Sequence, residues 1–295
     1  MRKLGIYVQV PFCQTRCTYC NFHTGVVASS RFAPYVEAVC REIRGHRELL
    51  KAAGVDWLGP GGRSGAAPLQ RECEAPGEVG KRPASEGGPY TERTLAVDTV
   101  YIGGGTPSLL DPAHLQDILD ATRASFTAEL AEVTLEADPE TIEAGKAAVW
   151  VRAGINRVSF GLQSFVDKEL IAAGRMHRRV EIYRAVPVLR EAGIRNISFD
   201  LIAGLPHQTR ESWRQSLDEL AVLAPEHVSV YLLEIDEGSR LGKELLQGGG
   251  KYSAGAVPSE DEMAEFYELA SMSAIAGCMP RVARGGRRDS DVEAD

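Results

Sequence analysis

Long apolar runs are absent from this sequence. No stretch of about 18 consecutive apolar residues occurs, which is the length that a membrane-spanning helix needs, so we expect no membrane span. The first residues also lack the apolar segment and small-residue cleavage site of a signal peptide. Three of the six cysteines are clustered, which is typical of metal binding in a reducing compartment, and we expect a cytoplasmic protein.

An excess of positive charge is also absent. The net charge is −8, and no basic segment is longer than a few residues, so we expect no nucleic-acid partner. The remaining composition, 44% hydrophobic and 25% charged, is that of an ordinary globular protein. A length of 295 residues suits one α/β barrel.

Short β-rich segments alternate with helical patterns along the chain. The segment "RAGINRVSFGL" (152–162) is repeated as "EAGIRNISFDL" (191–201), and both read as a helix end, a glycine cap and a buried strand. Parallel strands need helical crossovers, so this repeat predicts βα units. We therefore expect an α/β fold, a partial (β/α)6 TIM-like barrel, with its chemistry at the C-terminal ends of the strands. The predicted strands are 4–10, 97–103, 132–136, 157–162, 196–202 and 227–233.

Composition divides the chain into a core and two irregular regions. Residues 1–240 form the predicted barrel, interrupted at 54–90 by a Gly/Pro-rich segment that we interpret as a flexible insertion. Residues 241–276 are expected to begin a C-terminal region. Residues 277–295 have almost no apolar content, which predicts a disordered tail.

Three cysteines follow the first predicted strand with the spacing C-x3-C-x2-C. Cys13, Cys17 and Cys20 could bind zinc with His23 as a fourth ligand. Alternatively, they could bind three irons of an iron–sulfur cluster and leave the fourth iron open. The preceding strand and the neighbouring aromatic residues favour a shielded loop, and therefore the cluster, over a small zinc module.

Polar or glycine-rich residues also follow the next strands. Without Cβ atoms, the residues Gly103-Gly104-Gly105 let the backbone approach a ligand closely. Glu136 ends the third predicted strand. Asp200 lies within an apolar strand, where a carboxylate needs a partner or a ligand.

Six segments, in order, resemble the HemN/HemW group of the radical S-adenosylmethionine (SAM) superfamily. The resemblance covers about residues 1–50 and 97–270. The six segments are C-x3-C-x-Y-C, "TVYIGGGTPSLL" (99–110), "TLEADPE" (134–140), "RVSFGLQSF" (157–165), "GRMHR" (174–178) and "ISFDLIAGLPHQT" (197–209).

The resemblance implies a [4Fe–4S] cluster and SAM as cofactors. Cys13, Cys17 and Cys20 would hold the cluster, whose open iron binds SAM and whose electron cleaves it to a 5′-deoxyadenosyl radical. No catalytic residue is assigned. The implied SAM-site residues are Tyr7, Tyr19, Gly104, Gly105, Thr106, Glu136, Gln163, Arg175 and Asp200.

Within this group, the sequence is closer to the HemW haem chaperones than to the oxygen-independent coproporphyrinogen III oxidases. The oxidases carry a fourth cysteine where this chain has Phe22. The resemblance implies haem or a porphyrin, haem-acceptor proteins and an electron donor as partners, with haem as a further candidate cofactor. The H-N-x-x-Y-W stretch of HemW proteins is absent, so we expect a truncated C-terminal region. The oxidase and a zinc-stabilised binding module remain the alternatives.

Overall fold

A computed structural model describes residues 3–52, 96–275 and 282–284 of the protein. The predicted insertion at 54–90 lies outside the described residues, and so does most of the predicted tail at 277–295.

The described residues form a parallel β-sheet whose strands follow the order of the chain. This order is that of successive right-handed βα units, and it confirms the predicted partial barrel. The strands are β1 (Lys3–Val10), β2 (Ala96–Gly104), β3 (Thr127–Ala137), β4 (Arg157–Gln163), β5 (Asn196–Ala203), β6 (His227–Leu232) and β7 (Val282–Arg284).

Helices follow the strands and cover one face of the sheet. The repeated sequence segment corresponds to two equivalent helix ends, because Gly154 and Gly193 are both left-handed C-caps followed by strands. The helices are α1 (Phe32–Arg44), α2 (His46–Ala52), α3 (Pro112–Ser125), α4 (Ala144–Ala153), α5 (Asp167–Ala172), α6 (Arg179–Ala192), α7 (Arg210–Leu223), α8 (Arg240–Gln247) and α9 (Glu260–Ile275). Within the described ranges, no helix has the length and apolar character needed to cross a bilayer.

Three elements differ from the sequence prediction. β7 pairs with β6 inside the segment predicted as a disordered tail, so that prediction does not hold for these three residues. The short helices α5 and α8 were not predicted, since six and eight residues are too few to show a clear helical repeat.

Alternation along the strands separates an apolar face from a polar one. Phe160 and Phe199 are fully buried in the core between sheet and helices. Their neighbours Ser159 and Asp200 face the other way and contact each other across β4 and β5. The concave face of the sheet is therefore polar, and its C-terminal edge is suited to hold a polar ligand.

Candidate functional site

A cavity of about 670 Å³ lies at the C-terminal ends of the strands. Eleven of the twelve residues that the sequence predicted for the site line it. They are Cys13, Cys17, Tyr19, Cys20, Gly104, Gly105, Thr106, Glu136, Gln163, Arg175 and Asp200.

The loop that carries the cysteines is held from two sides. The Thr18 backbone N–H donates to the Ala173 carbonyl (3.0 Å), and its hydroxyl donates to the Ala172 carbonyl (2.9 Å) at the end of α5. On the other side, the Leu241 N–H at the start of α8 donates to the Thr18 carbonyl (2.9 Å). Segments distant in sequence thus fix the conformation between Cys17 and Cys20.

The three thiols of this loop are free and partly buried. Burial raises the pKa of Cys13, and the nearby Cys20 and Asp138 raise it further, against a hydrogen bond with Thr24. In the part of the chain that the structure describes, no three His, Cys, Asp or Glu side chains gather around one metal-ion position. The side chain of His23, the candidate fourth zinc ligand, is exposed and does not line the cavity.

The glycine loop after β2 packs directly against the cysteine loop. The Gly105 N–H donates to the Val10 carbonyl (2.7 Å), and the Thr106 N–H donates to the Phe12 carbonyl (2.6 Å). A Cβ on Gly105 would lie 2.4 Å from the Phe12 carbonyl oxygen and 3.0 Å from the Cys13 sulfur. The close neighbour of this glycine is therefore the protein backbone beside the first cysteine.

Gly104 adopts a left-handed conformation, with φ of 113°. Its backbone N–H donates to Glu136 Oε2 (2.8 Å), and the Tyr101 hydroxyl donates to Glu136 Oε1 (2.7 Å). These bonds orient the carboxylate at the end of β3, but burial outweighs them and raises the pKa of Glu136. Glu136 is thus a partly buried acid whose charged form a cationic ligand would stabilise.

Asp200 is the second partly buried carboxyl group of the cavity with a raised pKa. The Ser159 hydroxyl donates to Asp200 Oδ2 (3.3 Å), and Ser229 provides a further side-chain hydrogen bond. Burial nevertheless raises its pKa. Both acids lie on the concave face, where a ligand with amine or hydroxyl donors would satisfy them.

Arg175 is the cation of the site. Its Nη2 forms an ion pair with Asp138 and donates to the Gly161 carbonyl (2.8 Å), and its Nη1 donates to the Cys17 sulfur (3.4 Å). Burial disfavours its charge, but Asp138 and Cys17 hold its pKa well above the ordinary value. Its Nε is buried and has no hydrogen-bond partner among the described residues.

Gln163 and Tyr19 flank this cation. Gln163 ends β4 with φ of 69°, a left-handed conformation that is rare outside glycine and turns its side chain toward the cavity. Tyr19 lies between the second and third cysteines. Burial, together with the neighbouring Cys17, raises its pKa well above the ordinary value, so it remains a neutral phenol.

Tyr7 is not among the residues that line the cavity, and its predicted contact with SAM stays a prediction. It pairs in register with Tyr101, three residues before the end of β1, so it lies below the cavity, and 59% of its surface is exposed. Its ring stacks on that of Tyr101, with 5.7 Å between centroids. Tyr7 therefore supports Glu136 through Tyr101.

Two acidic residues of the site were missed from the sequence. Asp138 holds Arg175 and accepts a hydrogen bond from Thr106 (3.1 Å), and it lies inside the quoted segment "TLEADPE". Glu140, in the same segment, lines the cavity and faces the fully buried His177 at 3.5 Å. Both acids follow the end of β3, which is the signal that could have revealed them.

Comparisons with known proteins agree with this geometry. Residues 91–220 match the model of the radical SAM superfamily. The chain also superimposes on coproporphyrinogen III oxidase (HemN) from Escherichia coli with a TM-score of 0.71 and 23% identity, covering 93% of this chain and 53% of that one. It resembles the archaeal Elp3 of Methanocaldococcus infernus more distantly, with a TM-score of 0.57 and 16% identity over 98% of this chain and 58% of that one. The match identifies a radical SAM domain over residues 91–220.

Among curated proteins, the chain is similar to HemW haem chaperones. It is 33% identical to that of Synechocystis sp., covering 88% of this chain and 53% of the relative. It is 30% identical to that of Escherichia coli, covering 90% of this chain and 57% of the relative. The chain thus spans little more than half the length of these relatives. The activity and partners of the whole relatives can therefore only be proposed for this chain.

Proposed function

We propose that this chain is a HemW-like radical SAM protein. Cys13, Cys17 and Cys20 would hold a [4Fe–4S] cluster, SAM would bind beside it, and the protein would take part in haem delivery. The observation that carries this proposal is the convergence of three free thiols, a glycine loop, two partly buried acids and the guanidinium of Arg175 on a single cavity.

The thiols fit a cluster better than a single zinc ion. Zinc gathers its sulfur ligands at about 2.3 Å around one point, and the described residues contain no such group. A cubane cluster instead takes each thiolate on a different iron, so its cysteines are spread along a loop. His23, the fourth ligand that a zinc site would need, is exposed away from the cavity.

The polar groups of the cavity fit SAM. Glu136 and Asp200 are partly buried carboxyls with raised pKa values, and SAM supplies an ammonium group and ribose hydroxyls that would stabilise their charged forms. The buried Nε–H of Arg175, without a partner among the described residues, suits the SAM carboxylate. When cluster and SAM are bound, they supply one-electron cleavage of the sulfonium bond.

The chain's own residues orient this ligand and exclude water from it. Tyr101 and the Gly104 N–H fix the Glu136 carboxylate, and Ser159 fixes Asp200. Tyr19, between two cysteines, shields the loop as a neutral side chain. These residues bind and position, and none is assigned a proton-transfer step.

Haem or a porphyrin, a haem-acceptor protein and an electron donor remain the proposed partners. Apolar side chains that are strongly exposed at the cavity rim support a flat apolar ligand, namely Phe22, Met176 and Leu232. A cytoplasmic location remains part of the proposal. The similarity to HemN supports the oxidase alternative only at the level of the fold. The sequence argues against an oxidase, because Phe22 stands where the oxidases carry their fourth cysteine.

One experiment separates the chaperone from the oxidase. Reconstituted protein is incubated anaerobically with coproporphyrinogen III, SAM and a reductant, and a parallel sample is titrated with haem. We expect haem binding without decarboxylation. Formation of the decarboxylated product would reject the chaperone assignment.

A further inference from the structure

We propose that Arg175 sets the reduction potential of the cluster through its hydrogen bond to the sulfur of Cys17. This inference rests on the proposed function, because it takes Cys17 as a cluster ligand. It gives Arg175 a role that is distinct from contact with SAM, since Nη1 faces the sulfur while Nε is the donor without a partner among the described residues.

The geometry of Arg175 makes this bond directional. Its side chain is only 10% exposed, and both the Asp138 carboxylate and the Gly161 carbonyl bind Nη2. The guanidinium group is planar, so fixing Nη2 also fixes the direction of the Nη1–H bonds. Nη1 lies 3.4 Å from the Cys17 sulfur.

The backbone around Arg175 is held by a second arginine. Arg178 Nη1 donates to the carbonyls of Arg175 (2.8 Å) and His177 (2.6 Å), which closes this loop on itself. The other face of the loop contacts the cysteine loop, because a Cβ on Gly174 would lie 3.5 Å from the Cys17 Cα. The donor and the sulfur are therefore held by adjoining segments of the fold.

The effect on the potential follows from charge. One-electron reduction adds negative charge to the cluster, and part of that charge is carried by its sulfurs. A cationic N–H donor directed at one sulfur stabilises the reduced form more than the oxidised form. Arg175 therefore raises the reduction potential, while the Asp138 carboxylate beside it, which also acts on Cys13, lowers the potential.

The test is a potentiometric titration of the anaerobically reconstituted protein without SAM, followed by EPR. For Arg175→Gln we expect at least a tenfold lower ratio of reduced to oxidised cluster at a fixed potential, which is about 59 mV for one electron. Arg175→Lys keeps the positive charge but lacks the planar guanidinium group that directs Nη1 at the sulfur. Its reduction potential should therefore shift less than that of Arg175→Gln. Asp138→Asn should shift the potential upward.

The opposite signs distinguish tuning from loosening of the loop. A loosened loop would admit water in both variants and move both potentials in the same direction, which would overturn the inference. An unchanged potential in Arg175→Gln would overturn it as well. If the wild type holds no iron and sulfide, the proposed function fails instead.

A second measurement covers the case in which Arg175→Gln does not assemble a cluster. In wild-type protein labelled with ¹⁵N-arginine, pulsed EPR of the reduced cluster should detect a weak ¹⁵N coupling, transmitted through the N–H···S bond. Absence of that coupling in a cluster-loaded wild type would contradict the hydrogen bond directly.

Discussion

At the scale of single residues, the site contains carboxyl groups whose charged forms are disfavoured by burial. The carboxyls of Glu136 and Asp200 both have raised pKa values, because too few hydrogen bonds replace the water they lose. A protein retains such groups where a ligand completes them. Stability of the free protein and affinity for the ligand should therefore change in opposite directions when one of these charges is removed.

We predict that Asp200→Asn stabilises the free protein while weakening SAM binding. The raised native pKa of Asp200 contributes stability below the ordinary Asp pKa of about 4, and this contribution is lost as pH rises through the native value. At pH 8 the free energy of unfolding of the variant should therefore exceed that of wild type by on the order of 1 kcal/mol, so the variant should unfold at a higher temperature, and the difference should shrink toward pH 4.

Thermal unfolding of the cluster-free protein at several pH values measures this effect. Isothermal titration of the reconstituted protein with SAM measures the cost in affinity, which we expect to be at least about tenfold for the loss of one charged hydrogen-bond acceptor. Equal SAM affinity in the two proteins would remove Asp200 from the site.

The cysteines give a second prediction at this scale. Cys17→Ala should lose most of the bound iron after anaerobic reconstitution, because one of three thiolate ligands is gone. Cys40→Ala is the matched control, since Cys40 is a buried packing residue of α1 and should leave the iron content unchanged. Iron analysis that found the two variants equal would contradict the assignment of Cys17.

At the scale of elements, the cysteine loop depends on its neighbours. The glycine loop after β2 binds it through backbone hydrogen bonds to Val10 and Phe12, and the start of α8 together with the end of α5 binds Thr18. The site is thus a contact between several βα connections, as is usual at the C-terminal face of barrels.

We predict that Gly105→Ala destabilises the protein and lowers its iron content. The added methyl group would lie 2.4 Å from the Phe12 carbonyl oxygen, so the two loops must separate, at a cost of about 1–3 kcal/mol. Gly145→Ala is the control, because its Cβ meets nothing within 4 Å and alanine favours the helix α4. Thermal unfolding that left Gly105→Ala as stable as the control would disprove this packing.

The sequence predicted the strands and helices whose periodic pattern of hydrophobic residues extends over enough positions to be recognised. The strand-end residues Glu136 and Asp200 were found because each follows or interrupts an apolar run. The contacts between loops were not predictable, because the paired residues are far apart in sequence. Arg175 and Cys17 are separated by 158 positions, and Thr18 and Ala172 by 154. The role of Tyr7 stays a prediction, since its exposed side chain stacks on Tyr101 three residues before the end of β1.

At the scale of the whole molecule, one cavity combines nearly all the predicted groups at the C-terminal edge of a parallel sheet. Residues 91–220 match the radical SAM superfamily, and the fold is similar to that of HemN. The described chain corresponds to little more than half of each curated HemW relative considered. Binding of the cluster and of SAM can therefore be tested separately from haem transfer.

The most direct test of the central claim is an iron and sulfide count on anaerobically reconstituted protein, followed by EPR of the reduced sample with and without SAM. We expect about four irons per chain and a signal that changes when SAM is added, because SAM binds the iron that has no protein ligand. Stoichiometric zinc without iron, or a cluster signal that is indifferent to SAM, would contradict the account.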